Sequence, residues 1–154
     1  MSREHTFVDD PVVVVPRPAG RRELERQAWA RFTVRPWHDA AVEEGGHRFD
    51  SFYVEKFWLP IVGPTGILTA RNLARRVSGA SVDLDELAAE MGCKAQAMSH
   101  TLSRLERFSF ITSQAGSPTV FVRRHVAPLP LTLFGQLPAH LRVEHSMFVE
   151  PDRG

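Results

Sequence analysis

Residues 82–124, VDLDELAAEMGCKAQAMSHTLSRLERFSFITSQAGSPTVFVRR, decide the architecture. Asp85 is placed to cap a helix over Glu86 to Met91, and Gly92 follows directly. Lys94 to Phe108 then reads as a second helix, with Met98, Leu102 and Leu105 at spacings of four and three on its buried face. A turn of about three residues containing glycine joins the two, which is the signature of a helix-turn-helix. Ala88 and Ala89 are small where two helices cross closely, Leu87, Met91 and Met98 fill the space between them, and Gly92 permits a positive backbone angle in the turn. After Phe108 the apolar period changes from helical to alternating. Phe110-Ile111-Thr112 and Thr119 to Arg123 flank the turn-rich Gln114 to Pro118, so the segment predicts a β-hairpin. Val82 to Leu84 alternates like a very short strand that could lie beside that hairpin. The expected fold class is mainly α with a small β-hairpin.

In this order of elements the sequence resembles the winged helix-turn-helix superfamily, over roughly residues 64–124. Asp85-Glu-Leu-Ala-Ala-Glu-Met-Gly92 is similar to its first helix and turn, and Gln96-Ala-Met-Ser-His-Thr-Leu-Ser-Arg104 to its recognition helix. Cys93-Lys94-Ala95 departs from the pattern, since many relatives carry a serine or threonine cap there. A narrower resemblance lies upstream. Phe57-Trp-Leu-Pro-Ile-Val-Gly-Pro-Thr-Gly-Ile-Leu68 resembles the run that opens the first helix in the winged-helix domains of DnaD-type replication-initiation proteins. The whole chain also looks like Arg- and Ala-rich actinobacterial helix-turn-helix proteins, a likeness that implies no target.

The winged-helix resemblance implies binding of double-stranded DNA, with helix 94–108 in the major groove and hairpin 110–124 as the wing. The side chains opposite Met98, Leu102 and Leu105 would then meet base edges: Gln96, Ala97, Ser99, His100, Ser103 and Arg104. Glutamine can make a two-pronged contact to adenine and arginine to guanine, while serine or histidine offers one hydrogen bond. Lys94 and Arg107 suit phosphates near the helix ends, and Arg123 and Arg124 follow the wing. Charge distribution agrees. The net charge is only +1, yet residues 94–125 hold Lys94, Arg104, Arg107, Arg123 and Arg124 against Glu106 alone. The first reading is therefore a sequence-specific DNA-binding protein acting as a transcriptional regulator. The rival is a winged helix used for protein contact, or a replication-associated adaptor, which the modest net charge permits.

Working outward, four regions are expected: an extended arm over 1–20, a helix and loop over 21–48, the winged-helix domain over 49–125, and a Pro-rich extension with a short helix over 126–154. In the arm, Val12 to Val15 are bracketed by Pro11, Pro16 and Pro18, which restricts any strand there to an edge. From Arg21 to Phe32, Leu24, Ala28, Trp29 and Phe32 recur at helical spacing; Arg35 to Asp39 breaks the pattern and Glu43 to Gly46 reads as a loop. Phe49, Phe52, Tyr53, Phe57 and Trp58 form an aromatic stripe on a helix ending before Pro60, best explained as core. Pro64 starts the next helix, with Ile67, Ala70, Leu73, Ala74 and Val77 inward and Arg71, Arg75 and Arg76 in solvent. A homodimer is expected, with the aromatic helix or the Leu131 to Leu141 segment as its surface.

Composition bounds the rest. A chain of 154 residues with 43% hydrophobic and 24% charged side chains buries one core and folds in water. No apolar run approaches the roughly 18 residues of a membrane span, and the first residues lack the apolar core of a secretory signal. One cysteine, Cys93, forbids an internal disulfide, and a cytoplasmic, nucleoid-associated location is expected. No metal or other cofactor is expected either: His140 and His145 are five apart, and Cys93 has no second thiol near it. No serine or cysteine sits in a nucleophile motif beside His38-Asp39, and Gly63-Pro-Thr-Gly66 lacks the lysine of a phosphate-binding loop, so no enzyme is expected.

Overall fold

The computed structural model describes residues 20–149. The arm and its Val12 to Val15 strand therefore lie outside the described residues, apart from Gly20. In chain order the first elements are α1 (Arg21–Ala28), β1 (Arg31–Pro36), α2 (Ala40–Gly45) and β2 (His47–Arg48). A π-helical stretch, Val54–Trp58, runs directly into α3 (Leu59–Val62), and α4 (Pro64–Ala74) follows. Next come β3 (Ser81–Asp83), α5 (Leu84–Glu90), α6 (Ala95–Arg107), β4 (Ile111–Ser113) and β5 (Thr119–Val122). The chain closes with β6 (His125–Val126), α7 (Leu131–Phe134) and α8 (Ala139–Val149). The fold is mainly α with a small sheet: α4, α5 and α6 form the helical body, and β4 and β5 pair antiparallel as a hairpin.

The helix-turn-helix is built as its residues dictate, with one shift at its start. The capping residue is Asp83 rather than Asp85: its side chain accepts a hydrogen bond from Glu86 N at 3.1 Å, so α5 begins at Leu84. Asp85 and Glu86 then sit in the first turn, where the helix dipole favours negative charge. At the other end Gly92 has φ +71°, Gly92 N donates to Ala89 O and Cys93 N to Ala88 O, a closed left-handed cap. Lys94 precedes α6 and makes no side-chain cap. Met98, Leu102 and Leu105 are fully buried, each contributing on the order of 1.5–3 kcal/mol.

The N-terminal region departs from expectation. The helix predicted to run from Arg21 to Phe32 stops at Ala28, and Phe32 lies in β1 with Val34, both buried on one side of the strand. The sheet order is β3-β1-β5-β4. β1 runs antiparallel to β3 and parallel to β5, so Val82 to Asp83 does not pair with the wing; β1 stands between them. Strand pairing overrides the helical period because Arg31 to Pro36 has an open edge on each side to fill. One sheet therefore crosses the expected boundary between 21–48 and 49–125. The presumed loop over Glu43 to Gly46 is largely the end of α2.

Two further corrections follow from backbone geometry. The aromatic helix does not stop before Pro60; the wider π-helical turn ahead of it lets the helix continue through a residue that has no N–H to donate. The C-terminal segment holds the one-turn α7 and a longer α8 that starts after Pro138, rather than a single short helix inside Leu131 to Leu141. Core side chains come from all these regions, with Phe49 and Phe110 rings 5.0 Å apart and Trp58 Nε1 donating to Ala127 O at 3.1 Å.

Gly46 joins α2 to the β2–β6 pair, and a Cβ there would meet the Val42 and Val126 carbonyl oxygens well inside van der Waals contact. Gly46→Ala is expected to destabilise the fold by about 1–3 kcal/mol, read from the urea midpoint. An unchanged midpoint would show that the two backbones separate at no cost.

Candidate functional site

The outer face of α6 is partly roofed by the chain itself, because β1 brings α1 alongside α6. Trp29, at the end of α1, is buried, and its indole Nε1 donates to Ser103 Oγ at 3.0 Å. Ser99 is 0% exposed; its hydroxyl donates to Gln96 O at 2.8 Å and lies 3.5 Å from Glu25 Oε1 of α1. Ser99 and Ser103, expected to face outward, are thus engaged internally, and Gln96 is half-buried. Arg104 is an exposed residue, but its guanidinium donates to the Ile61 carbonyl in α3. Lys94, Ala97, His100 and Arg107 remain exposed.

The two wing arginines diverge. The Arg123 side chain is 11% exposed, with its guanidinium 3.7 Å from the centroid of the Trp37 ring and 3.4 Å from Asp39 Oδ2. It turns inward and holds the segment after β1 against the wing, so it does not project along the hairpin as expected. Arg124 is exposed. Its backbone carbonyl accepts from Phe49 N at 2.9 Å, and its side chain lines a cleft with Arg48, Arg71 and Arg75. Of the arginines expected in solvent, Arg71 is instead half-buried, donating to Phe49 O and Glu55 Oε1, both at 2.8 Å. Arg76 pairs with Glu90 at 3.1 Å.

The C-terminal helix supplies a second surface. His145 on its inner side is buried against Phe57 and Tyr53, and Lys56 pairs with Glu144. The Tyr53 hydroxyl lies 2.8 Å from His145 Nε2 and accepts from Leu129 N at 2.8 Å, while His47 stacks on the Tyr53 ring at 3.6 Å. The aromatic helix is therefore spent on the core and on α8, except for the exposed Phe52, and does not form the free dimer surface expected of it. The outer side of α8 carries Val143 and Met147, with Met147 73% exposed, and Leu131 before it is 88% exposed; Phe148 packs its ring edge on Tyr53 and Phe57. The exposed Leu131 lies in the segment expected to carry a surface, whereas Val143 and Met147 lie beyond it, on the part of α8 for which the sequence reading expected no helix. Among the described residues no cluster of three or more His, Cys, Asp or Glu could hold a metal ion, and no helix is long and apolar enough to cross a membrane.

No family model matches the chain, and no curated protein is similar to it at a significant level. Among solved structures, the chain is similar to the crystal structure of primosome protein DnaB (residues 1–300) from Geobacillus stearothermophilus, with a TM-score of 0.55 and 16% identity. The similarity covers 82% of this chain and spans 53% of that one. At this identity it supports the fold.

Burial pushes both His145 and His47 below the usual histidine range, and the proximity of His145 lowers His47 further. The unfolded chain takes up protons at these histidines near pH 6.5, before the folded chain does, so stability is lost as pH falls through that value. The urea midpoint is expected to drop between about pH 7.5 and 5.5, and to drop less in His47→Phe, which keeps a stacked ring. Equal slopes in both proteins would refute this assignment.

Proposed function

We propose that the chain is a winged-helix adaptor associated with DNA replication, which engages a protein partner and touches duplex DNA without reading its sequence. It performs no catalytic step of its own. The observation that carries this reading is the roof over α6: Ser99 and Ser103 are consumed by Glu25, Gln96 O and the Trp29 indole. Direct readout needs several side chains free to bond base edges at once, and each serine engaged internally is one contact fewer. Lys94, His100 and Arg107 remain for phosphates, which position a protein on DNA and carry no sequence information. The similar fold of a primosome protein supports the replication side of the reading. The exposed Leu131, and Val143 and Met147 one turn apart on α8, support the protein side, because exposed apolar side chains are the usual core of an interface.

The rival is a transcriptional regulator with α6 in the major groove, as a homodimer. Selection of duplexes from a random pool by the full chain at about 100 mM salt separates the two. No consensus is expected, and Gln96→Ala with His100→Ala should weaken binding to every duplex alike. A consensus preferred by about 1,000-fold over random duplex, and lost in that double variant, would overturn the adaptor reading.

A further inference from the structure

On β5, α4 and the β2 turn the chain builds a basic double cleft that the adaptor reading does not use. The first cavity, about 230 Å³, is lined by Arg48, Arg71, Arg75 and Arg124 over Phe49 and Ala74, with Asp50 as its single carboxylate. The second, also about 230 Å³, shares Ala74, Arg75 and Arg124 with the first and has no carboxylate in its wall. It adds Arg35 and an apolar side that includes Pro36 and Val77. Arg75 and Arg124 thus stand on the ridge common to both.

The arginines differ in how they are held. Arg71 is fixed by Phe49 O and Glu55, and Arg48 forks onto Asp50 through Nε and its terminal nitrogen at 3.0 and 3.2 Å. Arg75 and Arg124 have no carboxylate partner within ion-pair distance among the described residues, and neither has Arg35. The C-terminal end of α4 favours cations and accounts for Arg71 and Arg75. It does not account for Arg35, Arg48 and Arg124, which arrive from β1, β2 and the end of β5. Three separate elements, β1, α4 and the segment after β5, bring the unpaired Arg35, Arg75 and Arg124 to the two adjoining cavities, and Phe49 N donates to Arg124 O at 2.9 Å in the wall of the first.

We propose that this double cleft binds a nucleoside polyphosphate. Guanidinium forks match phosphate oxygens in charge and in planar geometry, so the phosphates lie against Arg75, Arg124 and Arg71. The adjoining cavity, lined by Arg35, Pro36 and Val77 among others, offers apolar and cationic side chains for a base. Each cavity is too small to admit a duplex, and together they reach the range of small-molecule sites, roughly 300–1,000 Å³. The site is independent of the adaptor reading: it needs neither α6 nor α8.

Isothermal titration of the full chain with ATP, GTP and inorganic pyrophosphate tests the assignment. Binding by at least one nucleotide below about 1 mM is expected, tighter than pyrophosphate because the base adds contacts. Arg75→Gln with Arg124→Gln should weaken it by about tenfold or more, while Arg142→Gln on α8 leaves it unchanged. Both cleft residues are exposed, and unaltered circular dichroism would verify the fold of the double variant. No nucleotide binding at that concentration overturns the proposal. So does binding that survives the double variant, pyrophosphate binding as tightly as nucleotide, or uptake of a single-stranded oligonucleotide without any mononucleotide.

Discussion

The hydrogen bonding of β1 on both of its edges is the constraint on which the remainder of the structure depends. Backbone N–H and C=O groups must find partners when buried, and Arg31 to Pro36 finds them on β3 on one side and β5 on the other. Thr33 N donates to Pro118 O, Val34 N to Ala80 O, and Trp37 N to Val122 O, all within 3.0 Å. A strand so committed fixes what precedes and follows it. Upstream, Leu84 N donates to Ala30 O and Trp29 is pressed against α6. Downstream, Trp37 and Asp39 are delivered to the inward-turned Arg123.

That single insertion redistributes the polar groups on which function depends. Donors and acceptors on α6 that would otherwise face solvent are answered from within the chain, and the remaining exposed cations on that helix suit phosphate contact. Meanwhile β1, β2 and the end of β5 carry Arg35, Arg48 and Arg124 to the far side of α4. Desolvating a charge is costly unless it is paired, so the arginines left without carboxylates stay at the rim of an open cleft. The apolar excess appears at α8, which buries His145 and leaves Val143 and Met147 outside.

Local rules account for much of this. The helix-turn-helix was legible because Met98, Leu102 and Leu105 repeat at helical spacing and Gly92 occupies a left-handed position that other residues resist. The wing was legible because Pro118 and Gly116 interrupt two alternating runs. β1 is not legible because Trp29 and Phe32 complete a helical stripe with Leu24 and Ala28, while the competing alternation of Phe32 and Val34 spans too few residues to prevail. The outward face of α6 is not legible from α6 alone, because no periodicity in α6 records that Trp29 lies 74 positions before Ser103 in the chain yet donates to its hydroxyl.

By itself the sequence determined which segments of residues 82–124 become helix, turn and hairpin, since those outcomes follow from neighbours within a few positions: spacing, caps and backbone angles. Only the tertiary structure decided the strand order β3-β1-β5-β4, the burial of Ser99 and Arg123, and the gathering of arginines from three elements into one cleft. These depend on contacts between residues far apart in the chain, where several pairings compete for the same open strand edges and the same buried volume, and the outcome is set by the energy of the whole assembly.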